Sequence, residues 1–257
     1  MTAHFTAWDW TLSVLAALCI GLSKTGFNGV ALISVALMTR VLPALQSVGV
    51  VLPMLIFADC FAVRSFRQHA RWSEIRRVLP PALVGIVLGA AALHYLNAPG
   101  NAANLLFKRV VGGIVLVLTV LQYVRVLRPG WFAREAAVVV GPAYGWIMGG
   151  FAGVTTMLAN AAGPIMALYF LAIGLPKLEL VGTSAWVFLI LNLSKIPFNY
   201  QLGLINADTL TLNLYLLPAV AAGVLAGRWL LGVVPQASFQ QLLLGFTLLA
   251  SLWLLWG

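Results

Sequence analysis

The sequence has few charged residues and long segments with none at all. Only 8% of its 257 residues are charged and 62% are hydrophobic, whereas about a quarter of the residues of an ordinary soluble domain are charged. Uncharged runs cover residues 41–58, 136–176, 209–227 and 229–257. About 20 apolar residues cross a bilayer as a helix. Together with a mean hydropathy of +1.00, these runs exclude a soluble fold and predict several membrane-spanning helices.

Residue types that carry catalytic or metal chemistry are also scarce. The two cysteines, Cys19 and Cys60, lie in apolar stretches, where free thiols usually pack as small core residues. The three histidines show no metal-ligand spacing, and the chain has no Walker loop and no clustered Ser, His and Asp set. We therefore expect no enzyme, no metal and no cofactor. The first ten residues lack a basic n-region, so the first apolar block is expected to be retained.

The apolar blocks predict an all-α membrane protein, because they lack the alternation of polar and apolar residues that a β-barrel requires. The expected helices cover residues 8–22, 29–40, 45–63, 78–96, 106–124, 135–152, 164–174, 179–199, 209–230 and 237–256. At 1.5 Å per residue, the segments 29–40 and 164–174 are too short to span a bilayer alone. Each of these two follows a Gly-rich segment, where glycine permits turns. The pattern predicts two broken helices, 8–40 and 135–174.

A weak internal repeat relates the two halves. Residues 43–68 align without a gap with residues 176–201 at an offset of 133, and the end residues Gln68 and Gln201 match. Further on, an offset of 138 aligns Pro80, Gly85 and Gly89 with Pro218, Gly223 and Gly227. We expect a first repeat over 1–130 and a second over 131–257, each with one broken helix and three transmembrane helices. Paired interruptions of this kind are typical of transporter binding sites.

The basic residues predict the orientation of the chain. The loop after the second full element is rich in arginine and is placed in the cytoplasm: Arg64, Arg67, Arg71, Arg76 and Arg77. If each broken helix is a V that enters and leaves on one side, ten basic residues lie inside and three outside. This V-shaped arrangement inverts the second repeat relative to the first. The net charge of +9 then reflects membrane topology, so we expect no nucleic-acid partner. The expected partners are a small anionic substrate and the lipid bilayer, and a homodimer is left open.

The second arm of each V is expected to begin with a free helix N-terminus near the middle of the membrane. These ends lie at Asn28-Gly29 and at Gly163-Pro164, where Asn28 suits an N-cap and Pro164 suits a first helical turn. Backbone N–H groups and the positive end of the helix dipole favour an anion there. The alternative is that these small residues only allow close packing or a kink.

Polar residues beside these breaks are candidates for a pathway. Lys24 lies inside the first break, where a bare ammonium costs several kcal/mol and usually marks a functional site. Lys195 shares a helical face with Asn192, and for both lysines the alternative is snorkelling to an interface. Asp59 corresponds to Asn192 in the repeat and is expected to pair with an arginine of the adjacent basic loop.

Neutral residues of the breaks complete the candidate site. Thr155, Thr156 and Asn160 can offer donors to the oxygens of an oxyanion, although the two threonines can equally satisfy the interrupted backbone. The candidate substrate-binding residues are Lys24, Thr25, Gly26, Asn28, Gly29, Thr155, Thr156, Asn160, Gly163, Pro164, Asn192 and Lys195.

Two strings of residues resemble the TauE/SafE sulfite exporter family: GLSKTGFNG at 21–29 and GTSAWVFLILNLSKIP at 182–197. The resemblance covers nearly the whole chain. It implies an inner-membrane transporter with two repeats of four transmembrane elements, linked to sulfite, sulfoacetate and related organosulfur anions. The motif matches carry over Lys24, Gly26, Gly29, Gly163, Pro164, Asn192 and Lys195. Asn28 departs from the glycine or proline expected at that position.

The resulting hypothesis is a secondary transporter of small sulfur-containing anions, sulfite or an organosulfonate, that exports them by alternating access. Lys24 and Lys195 are its expected charge partners. A membrane-embedded non-catalytic subunit and an anion channel of other specificity remain open. A membrane enzyme acting on a lipid would need an interfacial cluster of His or Asp, which the sequence does not show.

Overall fold

The computed structural model describes residues 5–25, 30–96 and 141–235, residues 116 and 120, and scattered positions between 238 and 252. The described residues form no strand. Their helices are α1 (Ala7–Ser23), α2 (Val30–Val41), α3 (Ala44–Phe66), α4 (Trp72–Leu96), α5 (Pro142–Ala159), α6 (Ala162–Ala172), α7 (Lys177–Gln201) and α8 (Ala207–Val233), with a 3-10 turn at Arg67–His69. The helix predicted over 106–124 lies, apart from two positions, outside the described residues. The described positions from 238 to 252 are helical, within the helix predicted there.

Helix length and surface composition identify an integral membrane protein. Four described segments are long and apolar enough to cross a bilayer: Gln46–His69, Trp72–Ala92, Lys177–Gln201 and Ala207–Val233. On α8, the large side chains of Leu214, Tyr215, Leu225 and Trp229 are all more than 60% exposed. So large an exposed apolar face on one helix is suited to lipid rather than to water.

The break in the second half is much shorter than predicted. The expected helix 135–152 is instead observed over Pro142–Ala159, and only Asn160 and Ala161 separate α5 from α6. Asn160 ends α5 in the left-handed conformation, with φ of 52°. The predicted Gly-rich turn starting at Gly149 is wrong, because the α5 glycines serve close packing: a methyl group at Gly153 would overlap the carbonyl oxygen of Ala82 in α4.

Two helix crossings are closed by similar glycine contacts. α1 packs on α8, and α5 packs on α4. A methyl group at Gly21 of α1 would overlap the carbonyl oxygen of Val220, just as one at Gly153 of α5 would overlap that of Ala82. Val220 and Ala82 are 138 positions apart, which is the offset of the repeat predicted for these helices. In both crossings, the two backbones approach closely because glycine has no side chain.

The apolar core divides into two groups of helices. The first bundle comprises α1, α2, α3 and α8, which bury Ile20, Met38, Met54 and Leu216 among others. The second bundle comprises α4, α5, α6 and α7, which bury Ile86, Met157, Phe170 and Leu180 among others. Val30, Phe66 and Leu231 reach from helices of the first bundle into the core of the second. Each bundle therefore takes three helices from one half of the chain and one helix from the other.

The close crossing of α4 and α5 predicts different responses at two neighbouring glycines. Gly153→Ala should destabilise the protein strongly, because its methyl group would overlap backbone atoms of Ala82, which cannot move aside as a side chain can. Gly150→Ala is the matched control, since its methyl group would lie 3.9 Å from the nearest atom, Pro81 O, and alanine favours a helix by up to about 1 kcal/mol. Thermal unfolding in detergent, followed by size-exclusion chromatography, measures both variants. Equal unfolding midpoints for the two would contradict the crossing.

Candidate functional site

Three charged side chains are buried within the part of the chain that the structure describes. They are Lys24, Asp59 and Lys195, with exposed fractions of 8%, 0% and 1%. Lys24 caps the end of α1, Asp59 lies on α3, and Lys195 lies on α7. α3 and α7 pack against each other, so the charges meet where the two bundles join. Ionisable residues inside a membrane are costly and are by default candidates for function.

Both carboxylate oxygens of Asp59 are engaged, one within the first bundle and one across to the second. Its Oδ1 forms an ion pair with Lys24 Nζ at 2.8 Å, and its Oδ2 accepts a hydrogen bond of 2.6 Å from Asn192 Nδ2. The expected pairing of Asp59 with Arg64 or Arg67 is therefore wrong, because the carboxylate is buried against Lys24 instead. Asp59 and Asn192 are equivalent positions of the predicted repeat, 133 residues apart.

Lys195 is held by neutral oxygens of the α5–α6 break. Its Nζ donates to Thr156 O at 3.2 Å, to Thr156 Oγ1 at 3.1 Å and to Asn160 Oδ1 at 2.5 Å. Three acceptors match the three N–H donors of an ammonium group. Asn160 in turn donates to Val48 O of α3 at 3.3 Å, which links the break to the first bundle. Lys195 therefore does not snorkel to an interface.

A small cavity lies between these groups. Ser23, Lys24 and Leu55 line it from the first bundle. From the second bundle it is lined by Thr156, Asn160, Ala162, Gly163, Phe188 and Asn192. Its volume of ≈ 20 Å³ holds about one water molecule, which needs roughly 10–15 Å³ by the same measure. Lys24 Nζ also lies 4.8 Å from the centre of the Phe188 ring, within range of a cation–π interaction.

The N-terminus of α6 forms part of the cavity wall. α6 begins at Ala162, and its N-cap residue Ala161 makes no side-chain capping bond. Pro164 lies in the first turn, as predicted, and is buried with Gly163. The positive end of the α6 dipole therefore lies at the cavity.

The remaining predicted site residues do not join this cluster. Thr25 Oγ1 donates to Leu22 O, and Thr155 Oγ1 donates to Phe151 O, each at 2.8 Å, so both hydroxyls satisfy their own backbone. Gly26, Asn28 and Gly29 lie outside the described residues. The structure thus brings together Lys24, Thr156, Asn160, Gly163, Asn192 and Lys195 of the predicted set.

Sequence reasoning missed two members of the cluster. Asp59 was left out of the candidate set, although the repeat alignment with Asn192 was a signal that it lies near that residue. Phe188 carried no signal, because an aromatic residue on an apolar helix is ordinarily part of the core.

The family assignment follows from a match over nearly the full chain. The model of the sulfite exporter TauE/SafE family matches residues 13–254. The chain belongs to this family. Neither the curated proteins nor the solved structures contain a match. The matched range of this TauE/SafE protein includes the whole buried cluster, and the family is one of exporter-type transporters for sulfite and other sulfur anions. The chain is accordingly a multi-pass membrane protein of a transporter family.

The buried ion pair predicts that two substitutions together are milder than one. Lys24→Met should destabilise the protein by about 3–5 kcal/mol, because it leaves the Asp59 carboxylate buried without its charge partner. Adding Asp59→Asn should recover most of the lost stability. Unfolding midpoints of the single and double variants in detergent measure this rescue.

An exposed ion pair provides the control for this comparison. Arg71 and Glu179 form an ion pair at 2.6 Å, and the arginine side chain is 54% exposed. Arg71→Met should therefore destabilise the protein far less than Lys24→Met does, because solvent screens an exposed ion pair. A double variant no more stable than Lys24→Met would contradict the coupling of Lys24 to Asp59.

Proposed function

We propose that this TauE/SafE protein is a secondary carrier that exports a small sulfur oxyanion, sulfite or an organosulfonate, across the inner membrane by alternating access. The observation that carries the proposal is a pair of buried lysines at a cavity between two helix bundles. Lys24 lines this cavity, and Lys195 is bonded to Thr156 and Asn160, which line it. Buried ammonium groups at such a position suit an anion that crosses the membrane without its water shell.

Each residue of the cluster has a defined part in holding the anion. Lys24 and Lys195 supply positive charge. Thr156, Asn160 and Asn192 supply neutral hydrogen bonds, and the N-terminus of α6 supplies backbone N–H groups. Lysine, threonine and asparagine side chains all carry donors that can bind the oxygens of an oxyanion.

The cavity favours a carrier over an open channel. With room for about one water, it does not admit an oxyanion unless side chains move. Lys24 is engaged by Asp59, and Lys195 by Thr156 and Asn160, so an entering anion must replace some of these contacts. A site that closes around its cargo and must rearrange to release it is what alternating access requires.

The two bundles are the units that we propose to move. The polar cluster lies on the seam between them. Two hydrogen bonds cross this seam to α3: Asn192 donates to Asp59, and Asn160 donates to Val48 O. Each bundle has its own apolar core, and a packed core resists deformation while a polar seam exchanges partners. These moving units differ from the two halves of the sequence, because α4 packs with helices of the second half and α8 packs with helices of the first half.

Contacts of the second half support a V whose two ends lie on the arginine-rich side. Near the start of α5, a methyl group at Gly145 would lie 2.7 Å from Arg77 Cδ and 2.9 Å from Tyr169 Oη. Near the end of α6, Tyr169 donates to Glu74 Oε2 at 2.6 Å. Both arms therefore end beside the start of α4.

Contacts of the first half support a V that opens towards the opposite side. Near the start of α1, Trp10 packs edge-on against Tyr215 of α8, with ring centres 6.0 Å apart. Two residues separate the end of α2 from the start of α3. Gly49, in the first turns of α3, lies against Leu204 in the connection between α7 and α8. Two Vs that open to opposite sides are what an inverted repeat requires.

The membrane potential favours the export direction that we propose. A potential of 100 mV, negative inside, favours the exit of a monovalent anion by about 2.3 kcal/mol. Export of one negative charge therefore needs no further coupling ion.

The carrier proposal predicts that transport depends on the charge of Lys195. In liposomes with an imposed potential, wild-type protein should show saturable, counter-transported flux of labelled sulfite. Lys195→Gln should reduce that flux by about 10- to 100-fold, because charge-assisted hydrogen bonds contribute about 1.5–3 kcal/mol. The exposed Arg228→Gln is the control and should keep wild-type flux. No sulfur-anion flux from folded wild-type protein would overturn the substrate, and non-saturating flux would indicate a channel.

The inverted repeat predicts that two equivalent glutamines face opposite sides of the membrane. Gln68 and Gln201 match at the offset of 133, and both are exposed. In a background in which Cys19 and Cys60 are replaced by alanine, Gln68→Cys should react with an impermeant maleimide only from the cytoplasm. Gln201→Cys should react only from the other side. Labelling of both from the same side would contradict the inversion.

A further inference from the structure

The geometry points to Asp59 as the residue that sets the charge of the transported anion, so that this site takes a monovalent sulfur oxyanion, such as a sulfonate, in preference to a divalent one. This inference rests on the proposed function of the cluster. It concerns the chemical class of the substrate, which neither the family nor the lysines alone define.

The first step is the charge of the buried cluster. Among the described side chains, Lys24, Asp59 and Lys195 are the only charged ones that are buried. Asp59 pairs with Lys24 at 2.8 Å. The described carboxylates include none in an ion pair with Lys195, whose three contacts are to uncharged oxygens. With all three groups ionised, two cations and one carboxylate give the cluster one net positive charge.

The second step is what that charge does to an incoming anion. A charge buried away from water is costly unless it is compensated. A monovalent anion brings the buried cluster to neutrality, whereas a divalent anion leaves one negative charge uncompensated in the membrane. This count does not depend on how far the cavity opens, provided that the three residues stay within the bundles.

The third step is the position of Asp59 relative to the cavity. Its two partners, Lys24 and Asn192, both line the cavity. An anion bound between these residues therefore lies close to the carboxylate and experiences its repulsion directly. A second negative charge on the anion would double that repulsion.

The alternative role of Asp59 is purely structural. In that case the carboxylate would serve only to hold Lys24 and Asn192 in place, and its charge would not affect which anion is carried. The two roles differ in what happens when the carboxylate becomes a neutral amide of nearly the same shape.

The test compares two tetrahedral sulfur oxyanions of similar size with different charges. At neutral pH methanesulfonate is monovalent and sulfate is divalent. Initial rates of uptake of each labelled anion are measured in liposomes that contain wild-type protein, Asp59→Asn or the control Asp208→Asn. Asp208 is an exposed carboxylate at the start of α8, so its replacement changes the total charge equally without changing the buried charge.

Wild-type protein and Asp208→Asn should both transport methanesulfonate faster than sulfate. Asp59→Asn should shift the ratio of the two rates towards sulfate by tenfold or more, because the cluster then carries two net positive charges. The double variant Lys24→Met with Asp59→Asn restores one net positive charge and should return to the wild-type preference.

The inference is overturned if folded Asp59→Asn keeps the wild-type ratio, or if wild-type protein transports sulfate faster than methanesulfonate. The second comparison needs no variant, so it can overturn the inference even if Asp59→Asn does not fold. Absence of wild-type flux for sulfite and for both test anions is a different result, because it overturns the proposed function itself.

Discussion

The ion pair between Lys24 and Asp59 is the interaction on which the organisation of the polar seam depends. A lone ammonium or carboxylate in the membrane interior would be expensive, and at 2.8 Å each group offsets most of the cost of burying the other. The pair also fixes the end of α1 against α3. The second oxygen of Asp59 accepts the hydrogen bond from Asn192. Asp59 therefore links its partner in the first bundle to a residue of the second bundle.

The two buried lysines come from different halves of the chain and bind different kinds of partner. In the first half the cation, Lys24, follows α1 and its partner lies on α3. In the second half the cation, Lys195, lies on α7 and its partners, Thr156 and Asn160, end α5. The α1 and α5 crossings make similar close contacts at Gly21 and Gly153. Among the described side chains, the buried cluster thus contains two lysines but one carboxylate.

Close backbone packing allows polar groups to be buried at all. The crossings of α1 with α8 and of α5 with α4 leave no room for a methyl group at Gly21 or Gly153. Such contacts bring the helix backbones together and leave no space for lipid tails between them. The cluster of Lys24, Asp59, Asn192 and Lys195 lies on the seam between the bundles, where exchange of hydrogen bonds would change access to the cavity.

The sequence by itself determined the membrane character, most helix positions and six residues of the buried cluster. These depend on hydropathy, spacing and local chemistry, which are properties of neighbouring residues. Only the tertiary structure decided that Asp59 meets Lys24 rather than Arg64, that the α5 glycines pack rather than turn, and that α4 and α8 exchange bundles. These features depend on which helix surfaces meet across more than a hundred residues of chain, and the energetic cost of burying one charge is known only when its partner is in place.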